Sequence, residues 1–294
     1  MDLLISILEQ GLIYGVLGMG VYITYKILDF PDLTVDGSFP LGAAITAMLL
    51  TKGVNPLLTL VCAFLVGVLA GICTGLIHVK FKVRDLLSGI IMMTALWSIN
   101  LYIAGTANVP LFSHITIFSN DFIKNIFPKE IKPYSTLIII ALISLTCKFL
   151  LDFYLKTRSG FLLKSVGDNP VIVTSLGKDK GNTKILGLAI SNGLVALAGS
   201  IFAQEQRVFE ISMGTGAIVI GLASVIIGTS FFKKITFLSA TSTVFLGSII
   251  YKACVAFAIK EFEPQSMKLI TAVLFLIILV LSMDRKRKSK VKNA

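Results

Sequence analysis

Gly167-Asp168-Asn169-Pro170-Val171-Ile172-Val173-Thr174-Ser175-Leu176-Gly177 interrupts a chain that is apolar for most of its length. Asp168 or Asn169 can start a helix here by accepting backbone N–H bonds. Pro170 suits the first helical position, where its missing N–H costs nothing. Gly177 fits a left-handed stop. The helix between them is about two turns, roughly 10 Å at 1.5 Å per residue. Ile172, Val173 and Leu176 fall on one arc of about 100°. Lysines 156, 164, 178, 180 and 184 surround it. A short capped helix with an apolar knob, set among lysines, suits a groove in a soluble partner. The plainer reading is an ordinary polar connection.

Composition says what that stretch interrupts. Mean hydropathy is +0.88; hydrophobic residues make up 55% of the 294 and charged residues 15%. A soluble domain of this length cannot hide so much apolar surface, so the chain reads as an all-α, polytopic membrane protein. It divides into one transmembrane domain over 1–284, with the polar loop 156–184 inside it, and a basic tail over 285–294. The net charge of +11 does not point to nucleic acid. Its lysines and arginines sit in loops between apolar runs and in the tail, the pattern of a membrane protein's cytoplasmic side. All four cysteines (Cys62, Cys73, Cys147, Cys254) lie in apolar runs and read as small buried hydrophobes. The first 25 residues carry Asp2 and Glu9 but no basic residue, which is unlike a signal peptide.

Nine runs are long enough to cross a bilayer or nearly so: 3–28, 37–51, 56–77, 86–104, 134–155, 185–203, 213–232, 235–258 and 267–283. The second is the weakest and carries Gly37, Pro40 and Gly42, so roughly eight or nine spans are expected, with broken or re-entrant helices among them. If all nine cross, 19 basic residues fall on the side of the tail and 7 on the other. That bias puts the tail and the 156–184 loop in the cytoplasm and the N-terminus outside; if 37–51 is instead re-entrant, eight segments cross and the N-terminus moves inside, while the loop stays cytoplasmic. In the outer loop 105–133, Phe118, Phe122, Ile123, Ile126 and Phe127 have the spacing of a short amphipathic helix, which either lies on the membrane surface, the preferred reading, or forms a landing site for an external partner. Gly67, Gly71 and Gly75, like Gly11 and Gly15, form small-xxx-small stripes that let helices approach closely.

Two stretches are too polar and too broken for plain spans. Asp29-Phe30-Pro31-Asp32-Leu33-Thr34-Val35-Asp36-Gly37-Ser38-Phe39-Pro40 holds three carboxylates and two prolines. Such backbone persists at membrane depth only when buried in protein or lining a wet cavity. Either Asp36 and Ser38 begin a broken helix that faces polar cargo, or Asp36 caps the next helix of a simple turn. The second stretch, Gln204-Glu205-Gln206-Arg207-Val208-Phe209-Glu210-Ile211-Ser212-Met213-Gly214-Thr215-Gly216, leads into a run punctuated by Gly221 and Gly228. Interrupted segments in both halves of a chain mark a transport site. The expected path is therefore Asp32, Thr34, Asp36, Ser38, Thr94, Ser98, Asn100, Gln204, Gln206 and Met213. Lys252, inside a span, either snorkels outwards or lines the path, with snorkelling the preferred reading. Enzyme signatures are missing: no G-x-x-x-x-G-K-[ST], no H-E-x-x-H, no G-x-S-x-G, and two histidines in all. The carboxylates have no His or Cys beside them to make a metal site.

The motifs resemble those of integral-membrane permeases of ATP-binding-cassette importers, in the branched-chain amino-acid and ribose permease superfamily. Arg158-Ser159-Gly160 through Gly167-Asp168-Asn169-Pro170 to Ser175-Leu176-Gly177 looks like that superfamily's cytoplasmic coupling motif. Ser191-Asn192-Gly193-Leu194-Val195-Ala196-Leu197-Ala198-Gly199 and Ile218-Val219-Ile220-Gly221-Leu222-Ala223-Ser224-Val225-Ile226-Ile227-Gly228 are similar to its later spans. The Phe30–Phe39 stretch, Met92-Met93-Thr94-Ala95-Leu96-Trp97-Ser98-Ile99-Asn100 and Ser212-Met213-Gly214 resemble a bacterial subgroup labelled tryptophan/tyrosine transport system permease. Thr229-Ser230 departs from that subgroup, where an acidic residue is expected.

The resemblance implies a transport subunit in a bacterial plasma membrane with no cofactor of its own, ATP being bound by a partner. Its partners are a second permease copy, a cytoplasmic ATPase pair and an external substrate-binding protein. It assigns coupling to Leu163, Val166, Gly167, Asp168, Asn169, Pro170, Ile172, Val173, Leu176 and Gly177. The cargo expected is a small amphipathic solute, an aromatic amino acid first. An ion-coupled secondary transporter is the alternative; it needs mid-membrane ionisable groups, and the spans offer few beyond Lys252 and the Asp32/Asp36 stretch.

Overall fold

The computed structural model describes residues 2–119, 134–175, 177, 179–232, 237–261 and 269–280. Each of the nine expected apolar runs contains a helix. α1 (Asp2–Val21) continues as one π-helical turn over Tyr22–Ile27. α2 spans Val35–Thr51, α3 Pro56–Val79 and α4 Asp85–Ala104. After a short strand β1 (Asn108–Pro110) come α5 (Ser135–Leu155), α6 (Arg158–Asp168) and α7 (Pro170–Ser175). α8 (Lys180–Gln206) leads to strand β2 (Val208–Glu210) and a 3-10 turn at Ile211–Gly214. α9 (Ala217–Phe231), α10 (Ala240–Glu261) and α11 (Leu269–Val280) follow. Seven of the described segments are long and apolar enough to cross a membrane; α2 and α11 are the shorter two. Residues 120–133, with the expected surface helix around Phe122–Phe127, and the tail lie outside the described residues.

α8 is the axis of the bundle, because small residues on three helices let backbones meet there. Gly67, Gly71 and Gly75 of α3 lie against α8 at Asn192, Leu188 and Ile185 in turn, so the two helices run antiparallel. At Gly71 a methyl group would overlap the Leu188 carbonyl oxygen. α2 packs on α8 beside α3 and runs parallel to α8: Ser38 meets Asn192, Gly42 meets Ala196 and Thr46 meets Ser200. α1 joins through Gly20, which sits on the Ser191 carbonyl, and the Ser191 hydroxyl donates to the Gly20 carbonyl at 2.8 Å. This is association by backbone approach and interhelical hydrogen bonds, as lipid requires. The expected stripes at Gly11 and Gly15 do the same work, packing α1 on Ile249, Phe245 and Ser248 of α10.

The helix directions define two ends. One carries α6, α7 and the start of α8. The other carries the ends of α4 and α8, tied by the antiparallel pair β1–β2, in which Val109 faces Phe209. Phe209 and Ile211 are buried against Ala43, Ala44, Ala47 and Leu50 of α2. The chain therefore turns back into the bundle after β2 instead of leaving it.

Candidate functional site

Two helices begin inside the bundle, and they begin beside each other. α8 has 27 residues, so Asn192 stands near its middle. Ser38, in the first turn of α2, is bonded to Asn192, which places the start of α2 at mid-length of α8. The 3-10 turn brings Gly214 onto the Asp36 carbonyl and the Pro40 ring, so α9 also starts at that level. Gly216 takes a φ of +83°, a left-handed geometry suited to glycine, and turns the chain into α9. Asp36 then closes the join: its carboxylate accepts from the backbone N–H of Gly216 at 3.1 Å and of Ile218 at 2.8 Å. Thus Asp36 caps a helix, but the helix is α9 and not its own; α2 starts at Thr34 without a side-chain cap. The negative carboxylate at a helix N-terminus also suits the helix dipole.

A buried polar network lies next to this join. Asp32 is 1% exposed and sits in the connection between α1 and α2, outside the spans themselves. Its carboxylate accepts from the Thr34 backbone N–H at 2.9 Å and from the Asn192 side-chain amide at 2.8 Å. Asn192 accepts in turn from the Ser38 hydroxyl at 2.7 Å, and Thr34 shares a hydrogen bond with Thr74 of α3 at 3.0 Å. Burial pushes the Asp32 carboxyl above the usual carboxylate range, and its bonds from Thr34 and Asn192 pull it back. The network links α2, α3 and α8 through the segment that precedes α2.

The expected path residues separate into distinct places. Asp32, Thr34 and Ser38 share the network, with Asp36 beside them. Asn100 reaches the same region from α4, donating to the Gly37 carbonyl at 3.0 Å, while its side-chain oxygen is buried without a hydrogen-bond partner. Thr94 and Ser98 lie on the opposite, exposed face of α4 with Trp97. Gln204 is fully buried near the far end, accepting from the Ile117 N–H at 3.0 Å and donating to Pro56 and Thr59. Gln206 is exposed and bonded to Glu205; Met213 is half-buried in the 3-10 turn.

Asn192 was missed as a site residue. Its signal was available: an amide in the middle of an apolar span must find a partner inside the protein. Lys252 does not snorkel outwards. Its ammonium lies 3.7 Å from the centre of the Tyr14 ring and 3.4 Å from the Gln10 side-chain oxygen, facing α1. The ring face supplies a cation site inside the bundle that the sequence does not reveal. No metal-holding cluster of His, Cys, Asp or Glu occurs among the described residues.

The second candidate site is the α6–α7 unit. Thr157 caps α6, its hydroxyl accepting from the Gly160 N–H at 3.3 Å. Asn169 caps α7, its side-chain oxygen accepting from the Val171 N–H at 3.0 Å. Gly177 has a φ of +68°. The start, cap and stop read from the sequence are therefore all in place. Leu163, Val166 and Val173 are buried in the main core, and Gly167 rests on the Ile27 carbonyl, where no side chain fits. These residues seat the unit on α1 and α8. Asp168, Asn169, Val171, Thr174 and Ser175 are exposed, Val171 at 70%. Leu176 and the side chains of Pro170 and Ile172 lie outside the described residues.

A polytopic bundle with two interrupted helices meeting at mid-depth, and a capped amphipathic unit at one end, is the architecture of a membrane transport subunit. Residues 3–282 match the family described as branched-chain amino acid transport system / permease component, and the chain belongs to it. It is the integral-membrane permease of an ABC importer, a transport subunit and not itself an enzyme, and this assignment sets aside the ion-coupled alternative. It is 46% identical to the tyrosine transport system permease protein of Clostridioides difficile, over 94% of this chain and 90% of that one. It is 30% identical to a probable branched-chain amino acid transport permease of Methanocaldococcus jannaschii, over 73% and 70% of the two chains. It is 23% identical to the ribose import permease of Escherichia coli, over 76% and 68%. No solved structure matches the chain.

Proposed function

We propose that this permease imports tyrosine or a related aromatic amino acid, as a homodimer served by two ATPase subunits and an external binding protein. The observation that carries the cargo is the 46% identity, over nearly all of both chains, to a protein named for tyrosine transport. The observation that carries the coupling is the α6–α7 unit, whose buried face grips the bundle while Val171 is exposed to solvent. On this reading the α7 end is cytoplasmic and the tail lies on the same side, as the basic residues favour. ATP is bound by the partner, and this chain needs no cofactor. α7 inserts into the ATPase, and its motion passes through Gly167 and Ile27 to α1, and through Leu163 to α8.

The exposed Thr94 and Ser98 on α4 face the second copy across a central path. Asp36 and the Asp32 network fix the ends of the broken helices beside that path. Specificity rests mainly with the external binding protein, so the path itself holds cargo weakly. The test is purification of the tagged chain from its native membrane with whatever subunits accompany it, followed by ATPase and uptake assays in vesicles. Co-purification of an ATPase, with ATP-dependent tyrosine uptake that survives an uncoupler, is expected. A lone chain whose uptake stops with the uncoupler overturns the proposal.

A further inference from the structure

An apolar groove of about 560 Å³ runs between α5, α3 and α8 on the outside of the bundle, away from the Asp36 join, and ends near the start of α6. Its walls are Leu60 and Phe64 of α3, Leu194 and Leu197 of α8, and Leu150 and Tyr154 of α5, among others. Thr146 also lines it, but its hydroxyl is turned back to the Leu142 carbonyl at 2.8 Å and offers the groove no polar group.

The dimensions select the occupant. The groove follows α5 from Leu142 to Tyr154, about 18 Å at 1.5 Å per residue. That length matches one leaflet of a hydrocarbon core roughly 30 Å thick, and the wholly apolar walls suit one alkyl chain.

The charge at its end selects the lipid class. The groove ends at Tyr154, whose hydroxyl is 3.1 Å from that of Ser159. Lys156 and Arg158 are exposed within four residues of Tyr154, and Lys164 returns to donate to the Leu155 carbonyl at 3.3 Å. None of these three cations has a carboxylate within ion-pair range among the described residues; the ion pair found there is Lys148–Asp152. α6 begins at this point with Phe161 60% exposed and the Lys164 ammonium over its ring, as on a membrane-surface helix.

From these features we infer that the groove is a binding site for an anionic phospholipid. One acyl chain lies along α5, and the phosphate meets Lys156, Arg158 and Lys164 at the α5–α6 elbow. Basic pockets beside membrane helices hold such headgroups. The occupied groove braces the elbow that carries the α6–α7 unit.

The test is native mass spectrometry of the full chain, with its co-purifying subunits, after exchange from vesicles containing equal phosphatidylglycerol and phosphatidylcholine. One phosphatidylglycerol per chain is expected to be retained in preference to phosphatidylcholine. Each cation near the bilayer surface is worth roughly a fivefold preference, so Lys156→Gln with Arg158→Gln is expected to erase most of it. Thr146→Trp, which fills the groove, is expected to abolish retention of both lipids. Equal retention of the two lipids by the natural chain, or retention unchanged by Thr146→Trp, overturns the inference. The two glutamine changes lie on the surface and keep the question answerable if the tryptophan variant does not fold. Crosslinking between two chains from a Thr146→Cys variant would place a second copy in the groove and also overturn it.

Discussion

α7 and α9 both start on a side-chain cap, and the caps come from opposite kinds of neighbour. Asn169 caps α7 from the adjacent position in the chain, at an exposed site. Asp36 caps α9 from another helix, about 180 residues away in sequence, at a half-buried site in mid-bundle. An exposed cap competes with water, so its loss is felt by one short helix. A cap half-buried in mid-bundle is harder to replace, because water reaches an unpaired N–H there less freely. The difference separates a segment built to engage another protein from a joint that holds the halves of this one together.

The largest effect is expected at Asp36. Asp36→Ala removes the acceptor for two N–H groups and leaves a void at the start of α9. A fully buried unsatisfied group costs about 1–3 kcal/mol; these two are half-buried, so a loss of roughly 1–3 kcal/mol in all is expected. It would appear as a sharp fall in the temperature at which detergent-purified protein leaves the monodisperse peak, together with loss of uptake. Asp36→Asn keeps one acceptor oxygen and should fall between. If Asp36→Ala keeps both stability and uptake, the joint is unimportant and the comparison fails.

Gly167→Val comes next. A side chain there overlaps the Ile27 carbonyl, so α6 must lift from the end of α1. The expected result is a bundle that stays folded and membrane-inserted, because its core packs around α8, but in which ATP hydrolysis and uptake are uncoupled. Uptake at the natural rate would show that motion does not pass through this contact.

Val171→Asp should be milder still for the bundle, since Val171 is 70% exposed and touches no core. Thermal stability is expected to stay the same while the ATPase no longer co-purifies. Retention of the ATPase by this variant would move the docking contact off α7. The pair Gly167→Val and Val171→Asp thus divides the unit into a face that grips and a face that engages.

The same comparison explains what could be read beforehand. The nine runs, the α7 helix and its stop were legible because each depends on local chemistry: apolar length, a capping side chain, a proline at the first position, a glycine with positive φ. The polar stretches at 29–40 and 204–216 were legible as oddities. Their meeting was not, because it depends on β2 and the 3-10 turn leading the chain back along α2. Nothing in the sequence near Asp36 names Gly216 and Ile218 as its partners. The partners of Asn192 and Lys252 were hidden for the same reason: they lie far off in the chain, Asp32 and Ser38 for the one, Tyr14 and Gln10 for the other. The path residues scattered because they were chosen by polarity, and polarity cannot tell the inward face of α4 at Asn100 from its outward face at Ser98.

The smallest effect is expected at the local cap, and it sharpens the contrast most. Asn169→Ala removes one exposed acceptor and should cost about 1 kcal/mol of helix stability, confined to α7. Global thermal stability is expected to hold, since Asn169 is exposed and makes no core contact of its own. The population of formed α7 helix should fall, and with it the affinity for the ATPase, by roughly fivefold if the cap's full value is felt in binding. Asn169→Asp keeps the acceptor and adds a charge favoured at a helix N-terminus, so it should bind the ATPase as the natural chain does. Measured affinities in the order natural chain, Asp and then Ala would show that the cap acts through the helix. If Asp fails as badly as Ala, then Asn169 contacts the partner directly, and α7 is recognised by its amide rather than by its shape.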